Sequence, residues 1–186
     1  SFLYASSVFE AEDGYWVFAI GGDGTGNVQT LRTLLFSSEG GFQLEREFMH
    51  TRKSYYGACA PVTQSRGGGY ASGATRFGGG IDSLFIYRFS ESGDTLSASY
   101  LASDTSMVIR KCIQSANGDF LLVGLHYPPQ NAFLCRADSM GELISFTVID
   151  DVPAFFAMGI AEDTDRDLYI CGFGQSIELN NSNNAN

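Results

Sequence analysis

Three aspartates at alternate positions of this chain could bind a metal ion. Asp163, Asp165 and Asp167 stand in the segment EDTDRD, and carboxylate oxygens gathered in a tight loop are ligands that Ca²⁺ prefers. The glycine and the distal glutamate of an EF-hand loop are missing from this segment. The pattern therefore indicates either a Ca²⁺ site or a solvated turn between two strands, and Ca²⁺ is the only cofactor that the sequence suggests.

Aromatic and histidine side chains close to predicted loops could form a second kind of site, a contact surface for a glycan or a protein. Aromatic rings outside the core are typical of such surfaces because each buries much apolar area on contact. The segment HYPPQN, residues 126–131, belongs to this group and has no counterpart elsewhere in the chain. The binding residues that we predict are Tyr55, Tyr56, Phe77, His126 and Tyr127.

The sequence lacks the usual signatures of catalysis. It has no GxSxG motif, and its two histidines, His50 and His126, have no evident nucleophile beside them. The glycine-rich segment GGDGTGN lacks the Gly-Lys-Ser/Thr ending of a phosphate-binding loop. We therefore predict no catalytic residues and expect that the protein is not an enzyme; a hydrolase with a shallow site is the least favoured alternative.

Charge and hydropathy exclude two classes of partner. The formal net charge is −10, and such a surface repels nucleic acid and anionic membranes. No stretch approaches the roughly 20 apolar residues of a membrane-spanning helix. We therefore expect neither a nucleic-acid partner nor membrane insertion.

The four cysteines allow two interpretations. Each lies in an apolar, strand-like run, and none forms a CxxC pair. They are either buried thiols, which behave as small apolar side chains, or they include one disulfide of an exported protein. They are Cys59, Cys112, Cys135 and Cys171.

A repeated unit positions all of these residues. EDGYWVFAIGG, GGGYASGAT, NGDFLLVGL and DRDLYICGFG each combine a polar or glycine turn, an aromatic or apolar residue, small apolar residues and a glycine. Their anchors, Gly14, Gly69, Gly118 and Asp167, recur at intervals of 55, 49 and 49 residues. A second glycine anchor, at Gly41, Gly93 and Gly141, recurs at 52 and 48 residues.

Each unit contains four predicted strands. In the second unit we place them at YYGACAPV, GYASGAT, DSLFIYRFS and TLSASYLA, and in the third at MVIRKCIQS, DFLLVGLH, NAFLCRAD and ELISFTVI. Residues 83–89 are apolar on both faces, as expected of a strand buried between neighbouring sheets. Tyr15 and Tyr70 occupy the aromatic position of the repeat and are expected in the core.

Four-stranded units with a period near 50 residues are typical of β-propeller blades. We therefore predict an all-β fold, a β-propeller built from four-stranded antiparallel blades. Residues 1–175 would form about three full blades and most of a fourth, and we expect them to be part of a larger propeller. Residues 176–186 are rich in asparagine and are predicted to be a flexible linker or tail.

Segments such as GGGYASGATRFGGGIDSLFIYRFSESGDTLSASYLA resemble the propeller-type repeats of secreted or cell-surface proteins of Bacteroidetes-type bacteria. The resemblance covers about residues 4–175, although the tryptophan that follows GDTL in those repeats is Ser97 here. Such repeats often precede a sorting domain of the type IX secretion system. The resemblance implies a secreted or cell-surface location, with export across the outer membrane and secretion-system components as partners during export.

Three Asp-Ser/Thr-apolar triplets are similar to the O-glycosylation acceptor motif of the same bacteria. The resemblance implies glycans at Ser83, Thr95 and Ser139. The same dipeptides also suit turns beside strands, so an unmodified turn is the alternative.

The expected function is that of a non-catalytic propeller domain for interaction or adhesion, exported as a type IX secretion substrate, with surface proteins or glycans as its partners. The alternative is a carbohydrate-binding propeller module of a secreted glycan-degrading enzyme. The fold hosts unrelated functions, so the choice between these depends on the site rather than on the architecture.

Overall fold

The protein is built from β-strands. The computed structural model describes residues 2–22, 28–52, 62–76, 82–103, 106–127, 130–151 and 155–174. Within these ranges no helix is long and apolar enough to cross a membrane. The strands in these ranges are β1 (Phe2–Ala11), β2 (Gly14–Gly22), β3 (Val28–Ser37), β4 (Phe42–Arg52), β5 (Val62–Gln64), β6 (Tyr70–Arg76), β7 (Asp82–Phe89), β8 (Thr95–Ser103), β9 (Ser106–Gln114), β10 (Phe120–Tyr127), β11 (Asn131–Ala137), β12 (Leu143–Ile149), β13 (Phe156–Glu162) and β14 (Leu168–Phe173).

The strands form successive antiparallel meanders. Sheet 1 contains β1 to β4, sheet 2 contains β5 to β8, sheet 3 contains β9 to β12, and sheet 4 contains β13 and β14 among the described residues. Within each sheet, strands that are consecutive in the chain pair with each other. The prediction of an all-β fold with four-stranded antiparallel sheets is confirmed.

The connection between the first and second strands, here called the first turn, has the same backbone form in sheets 2, 3 and 4. In sheet 3 the N–H of Ser115 donates to the carbonyl of Asp119, and Gly118 adopts φ 94°. Gly68 and Arg166 take the corresponding positions with φ 88° and 70°. Glycine suits this left-handed conformation because it has no Cβ. The structural equivalent of Gly118 is therefore Gly68, one residue before the anchor that the sequence comparison used.

Alternate side chains of one strand enter different cores. Leu122 and Phe120 of β10 pack with Leu84 and Ile86 of sheet 2, whereas Leu121 packs with sheet 4. This is the period-two alternation of a strand whose two faces are both covered. Sheet 1 packs on sheet 2 in the same way, through a cluster that includes Trp16, Phe18, Tyr70, Tyr87 and Phe89.

Two glycines of the second strands, Gly73 and Gly124, permit close approach. A Cβ on Gly124 would lie 1.9 Å from the carbonyl oxygen of Val108, beside the irregular pairing of β9 and β10. A Cβ on Gly73 would lie 2.4 Å from the side chain of Leu122 in the next sheet. Both glycines are therefore needed for packing, one within a sheet and the other between sheets.

The prediction for the first strand of sheet 2 is tested only at its end, and the prediction for Tyr15 was wrong. That first strand pairs over Val62–Gln64, which includes the last residue of the predicted segment 55–62, and residues 55–61 lie outside the described ranges. Tyr15 is 41% exposed, whereas the equivalent Tyr70 is 4% exposed. The reason is that Tyr70 faces sheet 1, and Tyr15 lies on the face of sheet 1 directed away from sheet 2.

The cysteines differ in their surroundings. Cys112 and Cys135 are fully buried free thiols on either side of Leu122, and burial raises the pKa of each to about 12. Cys171 is a free, exposed thiol, so the buried interpretation was wrong for it. It lies on the outer face of sheet 4, which no described sheet covers. Cys59 and the predicted boundary at residues 175 and 176 lie outside the described residues.

Candidate binding site between the first two sheets

The predicted aromatic surface is not assembled within the part of the chain that the structure describes. Tyr55, Tyr56 and Phe77 lie outside that part. His126 and Tyr127 end β10 and are half-buried, and the His126 ring lies 6.2 Å from the ring of Phe146. The binding role of all five residues stays a prediction.

The aspartates at 163, 165 and 167 form the first turn of sheet 4. The Asp163 carboxylate accepts hydrogen bonds from the backbone N–H groups of Asp165 and Asp167, both at 2.9 Å. Among the described residues, no group of three or more acidic, histidine or cysteine side chains is close enough together to hold a metal ion. Asp163 therefore has a structural role in its turn, and the Ca²⁺ site stays a prediction.

The three predicted glycosylation positions lie on strands and turns of sheets 2 and 3. Thr95 begins β8 and Ser139 lies in the turn before β12; both are exposed. Ser83 is half-buried in β7, between β6 and β8. Accessibility to a modifying enzyme is therefore greatest at Thr95 and Ser139, and the glycans themselves stay a prediction.

A recurring hydrogen bond joins sheet 3 to the first turn of sheet 2, and sheet 4 to the first turn of sheet 3. In sheet 4, Glu162 accepts from the backbone N–H of Ala116 and from the Ser115 hydroxyl, both at 2.6 Å. In sheet 3, the equivalent Gln114 accepts from the backbone N–H of Arg66 at 2.6 Å. The last residue of the first strand of sheets 3 and 4 thus satisfies a turn donor of the preceding sheet and holds the two sheets in register.

A second contact joins sheet 1 to sheet 2, and sheet 2 to sheet 3, at the connection between the third and fourth strands of the later sheet, here called the third turn. Asp94 in the third turn of sheet 2 forms an ion pair with Arg46 of β4. Glu142 in the third turn of sheet 3 accepts from the Ser99 hydroxyl of β8 at 3.3 Å. The contacts differ in chemistry, but they join the same positions of consecutive sheets.

Among the residues that the structure describes, the junction of sheets 1 and 2 shows no hydrogen bond of the first kind. The first turn of sheet 1 is one residue shorter than the others, because Glu10 pairs with Tyr15 across four residues, whereas Gln64 pairs with Tyr70 across five. Gln64 is the equivalent of Gln114, but no hydrogen bond from its side chain is found among the described residues. A cavity of 570 Å³ lies at this place.

Acidic residues surround the cavity. Glu10, Glu12 and Asp13 line it from sheet 1, and Glu91 lines it from the third turn of sheet 2. No ion pair is found for these four within the described ranges. The one cationic lining residue, Arg46, is already paired with Asp94, outside the lining. The cavity therefore carries an uncompensated negative charge.

Two aromatic residues form its inner wall. Trp16 and Tyr70 are each 4% exposed and both line the cavity. For the described part of the chain, no hydrogen bond to the indole N–H or to the phenol O–H is found. Burial and, to a lesser extent, the nearby Glu91 charge raise the pKa of Tyr70, so its hydroxyl stays protonated and able to donate.

The sequence analysis missed this site, although a signal was present. The turns preceding the aromatic position are AEDG before Tyr15 in the first unit and SRGGG before Tyr70 in the second, and the difference of one residue identifies the exceptional junction. The sequence does not show that side chains from four distant segments meet around the cavity between sheets 1 and 2.

A comparison with protein-family models finds no match to this chain, and a comparison with curated proteins finds none either. The geometry of the site therefore carries the functional argument.

Proposed function

We propose that the four sheets are consecutive blades of a larger β-propeller, and that this propeller is a non-catalytic interaction domain of a secreted or cell-surface protein. The architectural part is supported by sheets 2 and 3, each of which packs one face on the sheet before it and the other face on the sheet after it. Propeller blades are four-stranded sheets in this arrangement.

The outermost faces support the same architecture. Tyr169 and Phe173 on the outer face of sheet 4 are each 59% exposed, whereas their equivalents in sheet 3, Leu121 and Leu125, are 3% and 2% exposed. Large apolar side chains in register with buried ones suit a face that a further blade covers.

The cavity between sheets 1 and 2 is the observation that carries the functional part. Its volume lies in the range of about 300–1,000 Å³ that is common for ligand sites. Its wall offers unpaired hydrogen-bonding groups on buried aromatic residues, and its rim offers carboxylates without partners. Such a site suits the recognition of a partner molecule, and the repeat resemblance adds export by a type IX secretion route.

Export and interaction can be tested on intact cells of a bacterium that produces the protein with an epitope tag. Protease treatment should remove the tag from wild-type cells and leave it intact when the outer-membrane pore of the type IX system is deleted. The purified domain should also compete with these cells for attachment to their substratum. A tag protected in wild-type cells would contradict export, and undiminished attachment would contradict the interaction role.

A further inference from the structure

From the cavity between sheets 1 and 2 we infer a specific ligand class: a basic side chain, arginine or lysine, presented by an extended segment of a partner protein. This inference rests on the proposed interaction function and adds the chemistry of the ligand. It combines three features of the cavity, which are its missing inter-sheet bond, its unpaired carboxylates and its two buried aromatic residues with free polar groups.

The missing inter-sheet bond explains why a ligand can enter here. At the next two junctions, Gln114 and Glu162 each bind a backbone N–H of the preceding first turn at 2.6 Å and occupy the space between the sheets. Gln64 has the equivalent position, the turn at Glu12 and Asp13 is one residue shorter, and no hydrogen bond between them is found among the described residues. A donor from another molecule can therefore take the place that the turn N–H has elsewhere.

The charge of the lining selects a cation. Carboxylates from two sheets converge on one opening, and Arg46 cannot neutralise them because Asp94 already holds it. A guanidinium or ammonium group would pair with them through charge-assisted hydrogen bonds. The carboxylates are not grouped closely enough to hold a metal ion in the described part of the chain, so an extended organic cation is the better fit.

The aromatic wall favours a peptide over a sugar. Sugars stack on open ring faces, but Trp16 and Tyr70 are each 96% buried: Phe9 and Phe18 pack against the Tyr70 ring, and Gly93 lies close to the Trp16 ring. The two lining residues carry an indole N–H and a phenol O–H, for which no hydrogen bond is found in the described part of the chain. Donors of this kind suit a backbone carbonyl beside the basic side chain.

The chain contains a single tryptophan, so the tryptophan fluorescence comes from one residue of the cavity wall. The probe is the capped peptide acetyl-Gly-Gly-Arg-Gly-Gly-amide, and the matched control is the same peptide with neutral citrulline in place of arginine. We expect the arginine peptide to change the Trp16 emission saturably, with an affinity that falls as salt is added. The citrulline peptide should bind at least about tenfold more weakly.

Variants locate the charge effect. Replacing Glu12 and Glu91 together (Glu12→Gln, Glu91→Gln) should weaken the arginine peptide about tenfold, since each exposed ion pair contributes modestly. The matched control is Glu39→Gln with Glu142→Gln, which changes the net charge equally at carboxylates outside the cavity lining. Equal weakening by both double variants would show a non-specific field effect and would overturn the inference.

Three other outcomes would also overturn it: no saturable change with the arginine peptide, equal binding of the citrulline peptide, or a saturable change produced by a neutral oligosaccharide such as maltotriose. The attachment assay separates this inference from the proposed function. If the domain competes for attachment but does not bind the peptide, only the ligand class is wrong. If it binds the peptide but does not compete, the interaction role in attachment is wrong.

Discussion

Single side chains hold neighbouring sheets together, and Glu162 is the best-defined case. The Ser115 hydroxyl, the Ala116 N–H and, more weakly, nearby arginines lower the pKa of its carboxyl below the ordinary 4.5. A carboxyl whose pKa is lower in the folded than in the unfolded state stabilises the fold above the unfolded pKa. That contribution is lost as the pH falls through the folded pKa.

Replacing Glu162 with glutamine should therefore lower stability at pH 7 and make no difference in strong acid. The amide oxygen can still accept from the Ala116 N–H, as Gln114 does from Arg66, but the charge is gone. Urea unfolding at several pH values measures this: the wild-type and Glu162→Gln curves should converge as the pH falls below about 4.5. Asp165→Asn is the control, because it makes the same charge change on the same sheet. Its free energy of unfolding should stay close to that of the wild type at every pH measured. A Glu162→Gln deficit that persists at pH 2 would contradict the charge argument.

The turns and strands of the repeat depend on glycine for two different reasons. Gly118 needs a left-handed backbone, but a Cβ there would meet nothing closer than 4.0 Å. Gly124 has no positive φ, but a Cβ there would overlap the carbonyl oxygen of Val108. The left-handed backbone at Gly118 is a requirement of the turn alone. The need for a residue without a Cβ at Gly124 arises because two strands pair closely there.

Alanine substitutions at these glycines should separate the two effects. Gly118→Ala should cost about 1–2 kcal/mol, the price of one residue in the left-handed region. Gly124→Ala should cost more, because β9 must shift to admit the methyl group. Chemical denaturation of both variants measures the difference, and a Gly118→Ala variant less stable than Gly124→Ala would contradict it.

Arg166→Gly, at the equivalent turn of sheet 4, should be neutral or stabilising because it relieves a positive φ of 70°.

At the scale of the molecule, both ends of the stack of sheets present apolar side chains. Tyr169, Phe173 and Met158 are exposed on sheet 4, and Val8 and Tyr15 are exposed on sheet 1. The two outer faces are the counterparts of surfaces that meet at every internal junction. In a chain of these 186 residues, the outer face of sheet 4 can therefore pack on the outer face of sheet 1 of a second copy.

The isolated 186-residue chain should consequently self-associate as its concentration rises, which sedimentation velocity measures. The double variant Tyr169→Lys, Phe173→Asp should reduce the association, because it places charge on the outer face of sheet 4. The control Tyr100→Lys, Leu96→Asp changes equally exposed side chains on β8, the outer strand of sheet 2, and should leave association unchanged. Association that the control reduces as strongly would point to non-specific apolar contact.

Much of the fold could be predicted because its signals are local. Ser-Ala-Asn-Gly-Asp is a strong turn signal and forms the turn at residues 115–119, and the apolar run from Phe120 to Leu125 forms a strand with two apolar faces. Asp163 looked like a metal ligand because its spacing from Asp165 and Asp167 is right. The same spacing serves a turn in which its carboxylate accepts two backbone N–H groups, and spacing alone cannot distinguish these uses.

Amino-acid order accounts for the strands, the turns, the period near 50 residues and the four-stranded antiparallel sheets, since each follows from interactions within one unit. Burial and the cavity follow from contacts between units. Tyr15 and Tyr70 occupy the same place in the repeat, and only the presence of a neighbouring sheet makes one exposed and the other buried. The short first turn of sheet 1 can be read from the sequence. Its consequence, the cavity between sheets 1 and 2, depends on how the two sheets pack. The residues that line the cavity are tens of positions apart in the sequence. The repeat period and the local propensities do not indicate which of these residues meet in space.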